Sequence, residues 1–143
     1  MNYEVVELKE KTIVGVSAQT SNADPQMSAI IGDLWQKLYT PEVISTIVDR
    51  TNEYAIGLYS DYEGENYQVT AGFEVSNVPT EASYTVKVIP AGRYAKFSVH
   101  GDMVKAVADA WGEIWNTPLE RTFTGDFEEY TSMEDIDIYI AIR

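Results

Sequence analysis

The sequence predicts an α+β fold in which two tandem β-α-β-β halves, related by a pseudo-twofold axis, place two helices on one curved antiparallel sheet with a central cleft. Stretches of strand length are rich in β-branched and aromatic residues, two stretches carry amphipathic helical stripes, and the order of these elements occurs twice in 143 residues. Each half alone would leave apolar faces in water. We therefore expect one domain over residues 1–143, with half-repeats at about 1–76 and 77–143.

The first half begins with extended chain over residues 3–20 and continues into a helix. Asp24 can cap that helix, and Pro25 suits its first turn. A short second helix is predicted around 43–48, and strands are predicted at 54–59 and 67–75. The apolar stripe of the first helix comprises Met27, Ile30, Ile31, Leu34, Trp35, Leu38 and Tyr39.

The second half repeats this order after a breaker at 77–80. Strands at 84–89 and 94–99 precede a helix that Asp102 can cap. Thr122-Phe123 together with residues 127–130 predict one further strand, and residues 136–142 predict the last. The apolar stripe of the second helix comprises Val104, Val107, Ala108, Trp111, Ile114 and Trp115.

Charge and composition exclude several classes of function. Ten basic residues against 23 acidic ones give a net charge of −13, which disfavours nucleic acids and anionic membranes as partners. With no cysteine and one histidine, neither a thiolate nor a multi-histidine metal site can form. No phosphate-binding glycine loop or nucleophile elbow is present, so we expect no cofactor. The N-terminus lacks the features of a signal peptide, and a cytoplasmic location is expected.

Glu128 is the acidic residue with the most informative surroundings. Strand alternation places Glu128 and Tyr130 on one face and Phe127 and Glu129 on the other, so one of the two glutamates should face inward. A buried carboxylate is costly unless something compensates its charge. A cationic ligand stacked on aromatic rings would do so, and a nearby Tyr, Arg or backbone N–H would do so equally. Simple exposure of Glu128 is the third possibility.

Aromatic side chains supply the remaining candidate residues. Trp111 and Trp115 are four residues apart and share one side of the second helix, whereas Trp35 is expected in the core. Tyr hydroxyls need hydrogen-bond partners, which suits a half-wet cleft better than a dry core. The predicted ligand-binding residues are Glu128, Tyr59, Trp111, Trp115, Tyr130 and Tyr139.

Several segments, taken in order and spacing, resemble the GyrI-like family, the effector-binding domain attached to many AraC-type and MerR-type bacterial regulators. The segments that carry the resemblance are Gly57-Leu58-Tyr59-Ser60-Asp61-Tyr62-Glu63, Ala71-Gly72-Phe73-Glu74-Val75, Ile89-Pro90-Ala91-Gly92-Arg93-Tyr94, Phe127-Glu128-Glu129-Tyr130 and Asp137-Ile138-Tyr139-Ile140. Two positions depart from the family pattern: Asp137 stands where Glu is usual, and Ala141 where Pro is usual.

The resemblance implies a central cleft that holds lipophilic, often cationic, small molecules, with Glu128 as the counter-charge. It also implies a free-standing member without a DNA-binding domain, which would need a separate regulator protein in order to act on transcription.

Two alternatives stay open. One is a hydrolase of strained electrophilic toxins in which Glu128 activates water. The other is an acidic protein-interaction or gyrase-inhibitor-like module, based on the six acids and no bases between 126 and 137. We expect binding rather than catalysis.

Overall fold

The computed structural model describes residues 2–78 and 84–143, together with the backbone but not the side chains of residues 103 and 104. The predicted breaker at 77–80 therefore lies partly outside the described residues, as does the side chain of Val104. The helices are α1 (Met27–Leu38), α2 (Pro41–Ile44) and α3 (Met103–Trp115). The strands are β1 (Glu4–Leu8), β2 (Lys11–Ser21), β3 (Arg50–Glu63), β4 (Asn66–Val75), β5 (Thr85–Ile89), β6 (Gly92–His100), β7 (Asp126–Tyr130) and β8 (Asp135–Ile142).

The eight strands form one antiparallel sheet in the order β1-β6-β8-β7-β3-β4-β2-β5. The predicted fold class is confirmed. The units β2-α1-β3-β4 and β6-α3-β7-β8 repeat one β-α-β-β order and meet where β3 pairs with β7. The strands β1 and β5 are exchanged between the two units. Strand β1 precedes the first unit but pairs with β6 of the second, and β5 precedes the second unit but pairs with β2 of the first. The division near residue 76 stays a prediction.

Two short links show that the sheet is strongly curved. The strands β1 and β2 stand six positions apart in the sheet, which would separate them by about 29 Å if the sheet were flat. Lys9 and Glu10 alone join them, and three peptide steps reach about 11 Å. The link between β5 and β6 imposes the same constraint. The sheet must therefore curl so that its two ends approach each other.

Three apolar clusters fill the two faces of this sheet. One cluster packs beneath α1 around Leu34, Leu38 and Phe73. A second cluster packs beneath α3 around Phe97 and Ile138. The third lies on the face without helices and includes Ile56, Leu58, Phe127 and Tyr139. The helices α1 and α3 cover the same face of the sheet. The side chains of β3 and β7 that point to this face therefore lie between α1 and α3.

The starts of the two long helices differ from each other. Asp102 caps α3, since its Oδ1 accepts the Lys105 N–H at 2.9 Å, as predicted. Asp24 does not cap α1. Its Oδ1 accepts the Gln26 N–H at 2.8 Å in a local turn, and the helix begins only at Met27. None of the helices that the structure describes is long and apolar enough to cross a bilayer.

The predicted strand segment at Thr122-Phe123 is wrong. Phe123 has a φ of 56°, in the left-handed region, so the chain turns there and β7 begins only at Asp126. This turn brings the Phe123 ring to within 5.6 Å of the Tyr62 ring, measured between centroids. The segment before β7 therefore contributes to a surface between the sheet and α3.

Candidate ligand-binding site

Glu128 lies in the middle of the sheet, on the face that the helices cover. It sits on β7 directly opposite Gly57 of β3, and its side chain is 2% exposed. A Cβ atom on Gly57 would lie 3.2 Å from Glu128 Oε1 and 3.1 Å from Trp35 Cζ2, closer than most Cβ contacts. The absence of a side chain at Gly57 therefore leaves room for the carboxylate.

Three neutral side chains donate hydrogen bonds to this carboxylate. Trp111 Nε1 and Tyr59 Oη reach Oε2 at 2.6 and 3.1 Å, and Tyr130 Oη reaches Oε1 at 2.7 Å. Burial raises the pKa of Glu128, and the three hydrogen bonds oppose that rise by stabilising the anion. Burial and the neighbouring carboxylate also raise the pKa of Tyr59 and of Tyr130, so both hydroxyls keep their protons and remain donors.

The donors belong to two aromatic pairs of matching geometry. Trp111 of α3 and Tyr59 of β3 have ring centroids 5.5 Å apart at 73°, and Trp35 of α1 and Tyr130 of β7 have centroids 5.2 Å apart at 77°. Each tryptophan is the ninth residue of its helix, and each tyrosine follows the central Gly57–Glu128 pair by two residues along its strand. The pseudo-twofold repeat thus places one edge-on aromatic pair on each side of Glu128.

A cavity of about 620 Å³, named here the Trp111 cavity, lies against the first pair. Tyr59 and Trp111 form part of its wall, so two of the groups that bind the carboxylate also face the cavity. Its lining residues are Asn22, Met27, Ile31, Tyr59, Tyr62, Gly64, Glu65, Tyr67, Ala108, Trp111, Trp115, Arg121 and Phe123. Six of these thirteen lining residues are aromatic, and two of the six donate hydrogen bonds to the carboxylate.

A second buried acid supports another part of the same wall. Asp126 is fully buried and accepts hydrogen bonds from Tyr62 Oη and Arg121 Nη2, both at 2.6 Å, and from the Ala141 N–H at 2.8 Å. The Arg121 guanidinium also lies 4.3 Å from the centroid of the Phe123 ring. Asp126 thus compensates the charge of Arg121, whereas the partners of Glu128 among the described side chains are neutral.

The structure brings most of the predicted site residues together but divides them between two sides. Tyr59, Trp111 and Trp115 line the Trp111 cavity, with Trp115 at its rim and 61% exposed. Tyr130 lies on the other side of Glu128, where it lines a second cavity together with Trp35. The expectation that Trp35 belongs to the core holds in part, since it packs on the α1 cluster and also borders that cavity.

Tyr139 does not join this group, contrary to expectation. It lies opposite Phe127 on the sheet face without helices, and the two rings stack at 4.6 Å and 13°. The same alternation points Glu129 to that face, so Glu128 is the glutamate that faces the helices. Strand alternation predicts the face on which Tyr139 lies, whereas the need of its hydroxyl for a hydrogen-bond partner does not.

The sequence interpretation overlooked Gly57, Asp126 and Arg121. Strand alternation could have identified Asp126, because it lies on the same face as Glu128 and Tyr130. For Gly57 and Arg121 no comparable signal exists. Gly57 matters through its cross-strand neighbour, and Arg121 lies in an irregular segment, so both depend on tertiary pairing.

Comparison with known proteins shows the family to which the chain belongs. The family described as "Cass2: Integron-associated effector binding protein" matches residues 4–142 of the chain. The chain belongs to that family. YobU from Bacillus subtilis (strain 168), named as a proposed transcriptional regulator, is 31% identical, with 97% of this chain and 96% of YobU covered.

Two solved structures have closely similar folds. The integron cassette protein VCH_CASS2 from the mobile metagenome of Vibrio cholerae has a TM-score of 0.82 at 31% identity, covering 99% of this chain and 95% of its own. SAV2435, solved with tetraphenylphosphonium bound, has a TM-score of 0.83 at 20% identity, covering 100% and 94%. The GyrI-like resemblance is thereby confirmed at the level of the effector-binding fold.

Proposed function

We propose that the protein binds lipophilic aromatic cations in the Trp111 cavity, with Glu128 as their counter-charge. One observation carries the proposal: among the residues that the structure describes, the hydrogen-bond partners of this buried carboxylate are all neutral, and two of them form part of the wall of an aromatic cavity. Such a carboxylate gains no compensation from a basic side chain among these partners. A bound cation would supply it.

The carboxylate would act through the aromatic wall. A hydrogen bond from Trp111 or Tyr59 to an anion increases electron density on the donor ring, which strengthens a cation–π contact on the cavity side. At an effective dielectric constant of about 20, a positive charge about 8 Å from the carboxylate gains about 2 kcal/mol. That corresponds to about thirtyfold in affinity. Burial of the ligand's apolar surface contributes further and sets no strict demand on ring shape.

Two of the comparisons agree with this proposal. The family description names effector binding, and a protein of the same fold was solved with a lipophilic cation, tetraphenylphosphonium. A role in transcription through a separate regulator protein would extend the proposal. The hydrolase and the protein-interaction alternatives stay predictions.

A pair of ligands that differ in charge but little in shape tests the proposal. Isothermal titration calorimetry would compare methyltriphenylphosphonium with the neutral triphenylphosphine oxide, using wild-type protein, Glu128→Gln and Glu129→Gln. We expect wild type to prefer the cation, and Glu128→Gln to weaken cation binding about ten- to thirtyfold with little effect on the neutral ligand. Glu129→Gln is the matched control, because Glu129 is adjacent but points to the opposite face. Equal affinity for both ligands, or an unchanged affinity in Glu128→Gln, would refute the role of Glu128.

A further inference from the structure

We propose that the cavity on the opposite side of Glu128 is a second binding site for an aromatic cation. This inference rests on the proposed function in taking Glu128 as the counter-charge. The second cavity, named here the Trp35 cavity, measures about 570 Å³ and is nearly as large as the first. Its lining residues are Trp35, Tyr39, Glu53, Tyr54, Ala55, Tyr130, Thr131, Ser132 and Met133.

A tyrosine of the wall links the Trp35 cavity to the carboxylate, whereas a tyrosine and a tryptophan link the Trp111 cavity to it. Tyr130 is a wall residue of the Trp35 cavity and donates to Glu128 Oε1, just as Tyr59 lines the Trp111 cavity and donates to Oε2. Oε1 accepts this one side-chain hydrogen bond, whereas Oε2 accepts two. Equivalent tyrosines of the two halves therefore lie between the carboxylate and each cavity, and each donates a hydrogen bond to the carboxylate.

The charged side chain that lines the Trp35 cavity favours a cation. Among its described lining residues the charged side chain is Glu53, which is 79% exposed at the mouth, and no lysine or arginine lines the cavity. Arg50 approaches Glu53 only at 3.6 Å in a partly solvated pair, which weakly compensates the charge. The wall of the Trp111 cavity includes Glu65 as well as Arg121, and Asp126 compensates the charge of Arg121.

The mouth of the Trp35 cavity also offers apolar surface to a ligand. Tyr39, Tyr54 and Met133 are all exposed large side chains around it, with Met133 88% exposed. A flat aromatic cation would cover these side chains and place its positive charge between Glu53 and the Trp35–Tyr130 pair. A neutral or anionic compound would gain the same apolar contact without the electrostatic term.

Fluorine NMR can observe the two cavities separately, because each of the three tryptophans of the protein lines one of them. In protein labelled with 5-fluorotryptophan, Trp35 reports on the Trp35 cavity, and Trp111 and Trp115 report on the Trp111 cavity. Each signal is assigned by a Trp→Phe variant. We expect a titration with methyltriphenylphosphonium to shift the Trp111 and Trp35 signals with different midpoints, and Glu128→Gln to weaken both about tenfold or more.

Blocking variants separate a second site from an indirect effect of the first. Ala108→Phe obstructs the Trp111 cavity from an exposed helix position, and Thr131→Phe obstructs the Trp35 cavity from the position just after β7, and neither variant adds a tryptophan signal. The Trp35 shift should survive Ala108→Phe and disappear in Thr131→Phe. Glu53→Gln, a change at an exposed position, should weaken the Trp35 midpoint about twofold and leave the Trp111 midpoint unchanged.

Two results would overturn the second site. One is a Trp35 signal that does not shift, and the other is a Trp35 shift that follows the Trp111 midpoint and disappears in Ala108→Phe. A shift of Trp35 with a silent Trp111 would support the second site and would instead contradict the proposed function of the Trp111 cavity. The failure of one proposal is therefore distinguishable from the failure of the other.

Discussion

Asp126 and Glu128 are two buried acids on the same face of β7, two residues apart, and their surroundings differ in kind. Asp126 binds the Arg121 guanidinium, a tyrosine hydroxyl and a backbone N–H. Glu128 binds two tyrosine hydroxyls and an indole N–H. The charge of Asp126 is compensated within the protein, whereas the charge of Glu128 is only solvated by dipoles.

The proposed function rests on this difference, because it assigns Asp126 to the stability of the fold and Glu128 to a ligand. A paired acid in the interior holds its surroundings in place, and its removal leaves an unpaired charge. An acid that only neutral groups stabilise keeps a field that a ligand can use. The comparison can be tested by removing the charge or one donor at each acid in turn.

The largest effect is expected from Asp126→Asn, because it leaves the Arg121 guanidinium without its counter-charge. Arg121 is 18% exposed, so water can only partly compensate, and we expect a loss of about 3 kcal/mol in the free energy of unfolding. Urea denaturation followed by circular dichroism measures it. The matched control is Asp61→Asn, which breaks an ion pair with Lys87 of the same 2.6 Å length at the surface and should cost less than about 1 kcal/mol. Equal losses at the two positions would show that burial of the Asp126 pair contributes nothing.

A smaller effect is expected when each acid loses one hydroxyl donor. Tyr130→Phe removes the hydrogen bond recorded at Glu128 Oε1 and should cost about 2 kcal/mol, since a buried charge loses a donor. Tyr62→Phe leaves Asp126 with Arg121 and the Ala141 N–H and should cost about 1 kcal/mol. The same urea experiment measures both.

The test lies in which of the two tyrosine variants loses more free energy of unfolding. Each substitution removes one oxygen atom and keeps the ring, so the loss of apolar packing is matched between them. If Tyr62→Phe proved the more destabilising of the two, Asp126 would depend on its neutral donor more than on Arg121. The contrast between the two acids would then be wrong.

The sequence predicted that one of the two adjacent glutamates faces inward and left open which one, and it predicted the neighbours of Glu128 unevenly. Alternation placed Glu128 and Tyr130 on one face, and the helical stripe placed Trp111 toward the sheet, because both rules depend on local geometry alone. The placement of Tyr139 was wrong where a general preference of tyrosine hydroxyls was given more weight than alternation. Arg121 was missed because no period relates the irregular segment before β7 to the strand that follows it.

The exchange of β1 and β5 could not be predicted for a related reason. A two-residue link between strands is typical of a hairpin, and nothing at Lys9-Glu10 distinguishes a hairpin from a crossing between the ends of a curled sheet. The choice depends on which partner buries the apolar side chains of β1. That is a property of the assembled sheet rather than of the link.

The smallest effect is expected from Glu128→Gln in the absence of ligand. Glutamine has nearly the same shape, can accept from Trp111 and Tyr59, and removes a buried charge, so the free energy of unfolding at pH 7 should stay within about 1 kcal/mol of wild type. This contrasts with Asp126→Asn. A loss comparable to that of Asp126→Asn would mean that Glu128 is as structural as its neighbour.

The dependence of this small difference on pH gives the sharpest test. Burial raises the pKa of Glu128 above its ordinary value of 4.5, so the folded protein holds this proton more tightly than the unfolded chain does. The stability that Glu128 contributes is therefore complete below about pH 4.5 and decreases as the pH rises through the raised pKa. The glutamine variant does not titrate there.

The melting temperature of Glu128→Gln minus that of wild type should accordingly increase between pH 4.5 and pH 8, measured by differential scanning fluorimetry in buffers of equal ionic strength. A difference that stays constant with pH would mean that ionising Glu128 costs the fold nothing, and the carboxylate would then hold no uncompensated charge for a cation to meet.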